Sequence, residues 1–183
     1  GDTILVIGFS YENSATELGL FGIDANGRLA HRTTYYLRSN DYYSSRNYAS
    51  RLIGDTLIFY MPYFVLQGAQ GGVGISLPGL AQQQNGPAGA PRWQQILEAS
   101  EVYRPIQPTA NPVLHTVVTC DLSSRQLRCR ARGILGPYGR TFYVSPTAVY
   151  VWASSGDASG EDLPGSNEQP SGSVVYRLPL EGG

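Results

Sequence analysis

Cys120 and Cys129 are the two cysteines of the chain, and their spacing limits what they can do. They do not form a CxxC pair, and two cysteines alone make a poor zinc set. A cross-strand disulfide closing a short loop is the preferred reading, with two buried thiols as the alternative. The two histidines are His31, in a polar segment, and His115, at the start of an apolar one. A Ser-His-Asp triad needs one of them beside a serine and an aspartate, and no G-x-S-x-G elbow is present. Both read as surface or packing residues.

Gly71-Gly72-Val73-Gly74 resembles a phosphate loop only in its glycines. No lysine follows, and neither a preceding strand nor a following helix frames it, so a loop is expected. Asp24, Asn26 and Gly27 match the opening of a calcium loop, but Tyr35 stands where such a loop ends in glutamate, so a hairpin turn is expected. Asp157, Glu161, Asp162 and Glu168 lie in one acidic loop, which leaves weak calcium binding as the single cofactor expectation; no other cofactor is implied. Tyr35, Tyr36, Arg38, Tyr42, Tyr43 and Arg46 form an aromatic and guanidinium cluster of the kind that binding surfaces favour. With Trp93, the residues Tyr42, Tyr43 and Arg46 are the candidate binding positions for a protein, peptide or carbohydrate ligand.

Composition narrows the chemistry. Among 183 residues all thirteen basic ones are arginine. Without lysine there is no Schiff-base or P-loop lysine. A net charge of −1 gives no general pull toward nucleic acid or anionic membrane. No apolar run is long enough to span a bilayer as a helix, so no membrane insertion is expected. Twenty-two glycines, twelve prolines and thirteen tyrosines favour a β-rich, turn-rich chain.

The elements that would carry these residues repeat. GDTILVIGF at Gly1–Phe9, the second half of YASRLIGDTLIFYMP at Tyr48–Pro62, and PTAVYVWA at Pro146–Ala153 are each a turn followed by an apolar run. Thr3–Phe9 reads as a strand buried on both faces. Val113–Leu122 and Gln126–Ile134 read as a hairpin. If Cys120 lies opposite Cys129, then Asp121 faces Arg128, and Arg128, Arg130 and Arg132 point away from the core. Arg92–Tyr103 carries Trp93, Ile96, Leu97 and Tyr103 at helical spacing, which predicts a short amphipathic helix. That helix would sit inside an insertion, 63–112, whose Gly/Gln/Pro-rich first part reads as a mobile excursion.

Three units result, at about 1–37, 48–134 and 140–183. The first lacks its opening strand and the third its closing one. Thr3 to Thr56 spans roughly fifty residues, the period of a propeller blade. The expected fold is therefore all-β: consecutive four-stranded antiparallel β-propeller blades in an incomplete ring, with the helical insertion.

SRLIGDTLIFYMP, VLHTVVTCDLSS, YVSPTAVYVWAS and VVYRLPLEGG resemble the bacterial secreted proteins with a C-terminal β-propeller domain. The resemblance covers most of the chain except 63–104, and its motifs are structural. It implies an exported or envelope-attached module, extracellular or periplasmic, and carries no activity with it. With too few blades to close a ring, and starting at GDTIL, the chain reads as an excised part of a longer protein. The function expected first is a non-enzymatic binding or scaffold module. A hydrolase or lyase domain completed by further blades, or an inert spacer, are the alternatives. The inner strands offer Ser50, Arg51, Tyr143 and Ser145, which favours binding.

Overall fold

The computed structural model describes residues 3–38, 50–64, 77–83, 91–104, 112–124, 126–137, 139, 141–154 and 173–180. The described residues are all β-strand, turn or extended chain, without a helix. Thirteen strands follow in order: β1 (Thr3–Ser10), β2 (Ala15–Ile23), β3 (Leu29–Arg38), β4 (Ser50–Ile53), β5 (Thr56–Phe64), β6 (Gly79–Gln82), β7 (Gln94–Gln95), β8 (Leu97–Tyr103), β9 (Val113–Asp121), β10 (Arg128–Gly136), β11 (Thr141–Val144), β12 (Ala148–Ser154) and β13 (Ser173–Pro179). They form three sheets. Sheet A has the order β1-β2-β3-β6-β7, sheet B β4-β5-β9-β10-β8, and sheet C β11-β12-β13.

Sheet B is the middle layer, and its strands read accordingly. β9 (VLHTVVTCD) is rich in β-branched residues and buried on both faces over most of its length. One face of sheet B meets sheet A in a core that includes Leu18, Tyr35, Leu37, Leu80, Leu57, Phe59, Tyr63, Leu114 and Val118. The other meets sheet C, where Ile58, Tyr60 and Val117 pack on Val149, Val151, Tyr176 and Leu178. Alternate residues of β5 thus serve opposite cores, as a period of two requires. Pro62 lies beyond Thr56–Phe59, the stretch of β5 that pairs with β4 among the described residues.

Turn chemistry sets the registers. Gly54, with φ +57°, opens the two-residue turn between β4 and β5. A side chain there would meet backbone strain. Asp24 Oδ1 accepts the N–H groups of Asn26 and Arg28, and Gly27 takes φ +77°, so this segment is a hairpin turn between β2 and β3. The hairpin β9–β10 pairs Cys120 with Cys129 and Asp121 with Arg128, as the alternation of the sequence implies. Cys120 and Cys129 form a disulfide, with Cα atoms 4.1 Å apart.

Three expectations are overturned. Arg92–Tyr103 is not a helix: it forms β7 and β8, joined through Ile96. Its apolar residues satisfy two strand edges rather than one helical face. The Ile96 N–H donates to the Pro78 carbonyl and its own carbonyl accepts the Ala131 N–H, so the segment passes from the edge of sheet A to the edge of sheet B. There β8 runs parallel to β10, with an irregular register between Ala131 and Gly133. Sheets A and B therefore have five strands, and sheet B is not wholly antiparallel. Second, β1 is not buried on both faces. It is an edge strand among the described residues, with Ile4 and Val6 exposed. Third, Tyr35 and Tyr36 are buried rather than displayed.

Candidate functional site

The β6–β7 ladder at the edge of sheet A carries Gln82 and Gln94, pairs Leu80 with Gln94, and is flanked by Gln83 and Arg92. Because neighbouring residues in an extended chain alternate, Arg92 and Gln94 project one way and Trp93 the other. Facing them across the gap, the β9–β10 connection brings Gln126 and Leu127. Tyr35, Leu80, Gln82, Gln83, Arg92, Gln94, Gln126 and Leu127 line a cleft of about 290 Å³. Its floor is buried Tyr35, Leu80 and Leu127, and its walls are exposed amides and one guanidinium.

The floor is held rigidly. The Tyr35 hydroxyl accepts the Leu127 N–H at 3.1 Å, tying sheet A to sheet B under the cleft. Gln82 Nε2 donates to the Thr33 hydroxyl at 3.0 Å, which fixes one wall amide. The Gln83 N–H donates to the Thr34 carbonyl at 2.8 Å, extending the ladder past β6.

A wider cavity of about 570 Å³ shares Leu80, Gln94, Gln126 and Leu127 with this cleft and continues along the disulfide hairpin to Thr119, Asp121, Arg128 and Arg130, reaching Pro146 and Leu180 of the third unit. The two form one polar-walled surface at the turn end of the hairpin. The carboxylate on it is Asp121. Its Oδ1 accepts both the N–H and the hydroxyl of Ser123, and these bonds, with Arg128 nearby, hold the carboxyl below its ordinary range. An anionic acceptor and two arginines accordingly sit at one end, and neutral amides at the other.

On the opposite face of sheet A the Arg38 guanidinium lies 4.3 Å from the centre of the Trp93 ring. Trp93 packs beside Ala15, Tyr36 and Ala81. The Tyr63 hydroxyl donates to the Arg38 carbonyl at 2.6 Å, and burial pushes that phenol well above its ordinary value. Of the aromatic and arginine cluster expected from sequence, the structure joins Arg38 to Trp93 and places Tyr35 beneath the amide cleft. Tyr42, Tyr43 and Arg46 lie outside the described residues, as do Gly71–Gly74 and the acidic loop with Asp157, Glu161, Asp162 and Glu168.

The histidines have packing roles. His31 Nε2 lies 2.9 Å from the Thr34 hydroxyl, and its ring meets Phe21 edge-on. His115 is fully buried between sheets B and C, with Nε2 2.7 Å from the Pro137 carbonyl and Nδ1 2.8 Å from the Tyr60 hydroxyl. Burial lowers its pKa below the ordinary imidazole value, with the Pro137 carbonyl opposing. No group of three or more His, Cys, Asp or Glu side chains among the described residues is arranged to hold a metal ion.

The wall residues Gln82, Gln83, Gln94, Gln126 and Arg92 escape a motif-based reading, because glutamine carries no catalytic signature. The signal was the run Gln82-Gln83-Gln84, which composition alone assigns to a loop, and Gln94-Gln95, which the helical spacing of Arg92–Tyr103 assigns to a helix. No known protein family, curated protein or solved structure matches the chain.

Proposed function

We propose that the chain is a non-enzymatic binding or scaffold module, built from stacked blades of a β-propeller and belonging to an exported or envelope-associated bacterial protein. The observation that carries the binding reading is the cleft between sheets A and B. Amide donors and acceptors converge there over an apolar floor, the combination that ligand sites use to fix orientation while burying area. Neutral amides pair with hydroxyl or peptide groups, so the ligand class is a neutral carbohydrate, or a peptide or protein segment that enters through its backbone. Three sheets packed face to face, each carrying the repeated turn-and-strand block, support the propeller reading. The disulfide fits an oxidising compartment.

The test is retention on paired oligosaccharide and peptide arrays by the protein and by the double variant Gln94→Ala/Gln126→Ala. Both positions are exposed, so the variant keeps the fold. Binding of a discrete ligand class by the parent and its loss in the variant is the expected result. Equal retention by both forms, or none by either, overturns the proposal.

A further inference from the structure

The three sheets stack in one sense. Each repeated strand turns one set of alternate residues toward the preceding sheet, its back, and the other set toward the following sheet, its front. In β5, Leu57 and Phe59 form the back, in the core with sheet A, and Ile58 and Tyr60 the front, in the core with sheet C. The equivalent residues of the other two blocks keep this sense. Leu5 and Ile7, at the front of sheet A, pack on the core with sheet B, and Val149 and Val151, at the back of sheet C, form the core on its other side. Both contacts within the chain are thus front to back.

Two faces remain, and among the described residues no sheet packs on either. The front of sheet C carries Tyr143, Trp152 and Val175, which are 66%, 51% and 51% exposed. Trp152 lies opposite Val175, and Tyr143 opposite Tyr150 with their rings 6.3 Å apart, so the set forms one apolar patch. The back of sheet A carries Ile4 and Val6, 37% and 51% exposed, opposite Phe21 and Gly19. The two faces match in shape at equivalent points. Trp152 holds on sheet C the place of Tyr60 on sheet B, and Tyr60 shares a core with Val151 and Tyr176. Val6 and Gly19 pair on sheet A as Val151 and Tyr176 pair on sheet C. The Phe21 ring lies along Gly19, so a flat apolar shelf stands where sheet C has a projecting phenol. A wide indole at the open front thus meets a shallower open back.

We propose that the front of sheet C docks on the back of sheet A of a second copy of this chain, and that two copies so joined close a ring of six sheets. A front-to-back contact is heterologous, and such contacts either close a ring or grow into a filament. The number of sheets selects the ring. Three sheets from one copy are too few for a propeller and nine from three copies too many, whereas six from two copies fall within the usual range of about four to eight. In that ring each copy's front covers the other's back, and no open face is left for a third copy. The inference rests on the propeller reading, since it takes the stacking angle from that fold. It is independent of the amide cleft, which lies between sheets A and B of a single copy.

The experiment is light scattering of the whole chain and of two variants, Trp152→Arg at the front of sheet C and Val6→Arg at the back of sheet A. Both positions are exposed, and circular dichroism checks that each variant keeps the parent's spectrum; Trp152→Ser and Val6→Ser take their place if either spectrum changes. The expected mass is that of two chains for the parent and of one chain for each variant alone. Mixing the variants restores one unaltered contact, the front of the Val6→Arg copy on the back of the Trp152→Arg copy, and leaves the other broken. The mixture is therefore expected to reach the mass of two chains and no more. A mixture that stays at one chain overturns the proposal, because a head-to-tail contact requires the recovery. A parent of one chain overturns it as well but leaves the propeller reading in place, with the two faces open to sheets of another protein. A parent that grows beyond two chains, and that both variants reduce to one, overturns the six-sheet ring and the propeller reading with it.

Discussion

The carbonyl of Ile96 accepts the backbone N–H of Ala131 at 2.8 Å, and through that bond the edge of sheet A is joined to the edge of sheet B. Ile96 also donates to the Pro78 carbonyl and buries its side chain in the core between the two sheets. A segment that composition marks as an excursion from the fold thus clasps two layers. Truncation by Ile96→Ala keeps both backbone bonds but opens a cavity at the junction. A loss of about 2–4 kcal/mol is expected by urea denaturation. A loss below about 1 kcal/mol would show that the clasp contributes little to the layers it spans.

His115 gives the chain a pH dependence with a defined sign. The Pro137 carbonyl can only accept, so Nε2 carries the proton of the neutral ring and Nδ1 is an acceptor. The Tyr60 hydroxyl lies 2.8 Å from Nδ1 and 2.9 Å from the Gly139 carbonyl, and shares its proton between them. Burial holds the folded pKa below the ordinary value of 6.5, so the unfolded chain takes up the proton more readily. Stability is then complete above about pH 7 and falls as pH drops through 6.5 toward the folded value. Denaturation midpoints measured between pH 7.5 and 5 should show this slope in the parent and a flatter one in His115→Gln. Equal slopes in both would remove His115 as its source.

Tyr60→Phe isolates the hydroxyl. The ring still stacks on Phe142, with centroids 4.8 Å apart, but Nδ1 and the Gly139 carbonyl both lose a donor. The expected cost is about 1–3 kcal/mol at pH 7.5, that of leaving buried polar groups unmatched. An unchanged midpoint would mean that water replaces the hydroxyl.

Much of this arrangement is legible in the sequence, and the rest is hidden for physical reasons. The disulfide hairpin follows from the alternation of Val118, Cys120, Leu127 and Ala131 against three arginines, because a period of two fixes both faces and register together. The repeated turn-and-strand blocks mark β1, β5 and β12. The clasp at 94–103 was not legible, because Trp93, Ile96, Leu97 and Tyr103 satisfy a helical period. Their actual partners, Pro78 and residues of β10, are distant in sequence. The amide cleft was hidden for a related reason: Gln82, Gln94 and Gln126 come from three separate segments, and only pairing brings them together.

Reduction of the disulfide tests how far the hairpin depends on it. The Cys120→Ala/Cys129→Ala variant should lose roughly 2–3 kcal/mol, the chain-entropy value for a short closed loop. The cost should appear as a lower denaturation midpoint with an unchanged β-sheet circular dichroism spectrum. Loss of that spectrum at room temperature would give the bond a larger role.

Close approach between Gly139, in the connection ahead of the third unit, and β12 provides a steric test. A Cβ on Gly139 would overlap the Trp152 carbonyl and stand 2.9 Å from Ala153 Cα. Both are backbone atoms that cannot rotate away. Gly139→Ala should cost about 1–3 kcal/mol, as overpacking does. Gly8→Ala, which meets nothing within 4 Å, serves as the control and should stay close to the parent. Equal midpoints for the two variants would contradict the packing of 139 against β12.

The binding reading is tested most directly by NMR of the side-chain amides themselves. A probe retained on the arrays is titrated into labelled protein, and the NH₂ resonances of Gln82, Gln83, Gln94 and Gln126 are followed together. The account requires these four to shift in a saturable manner with one affinity, while the exposed side-chain amide of Gln95, outside the cleft, stays in place. Saturable binding that leaves the four unmoved, or moves only resonances elsewhere, would contradict the assignment of the cleft as the ligand site.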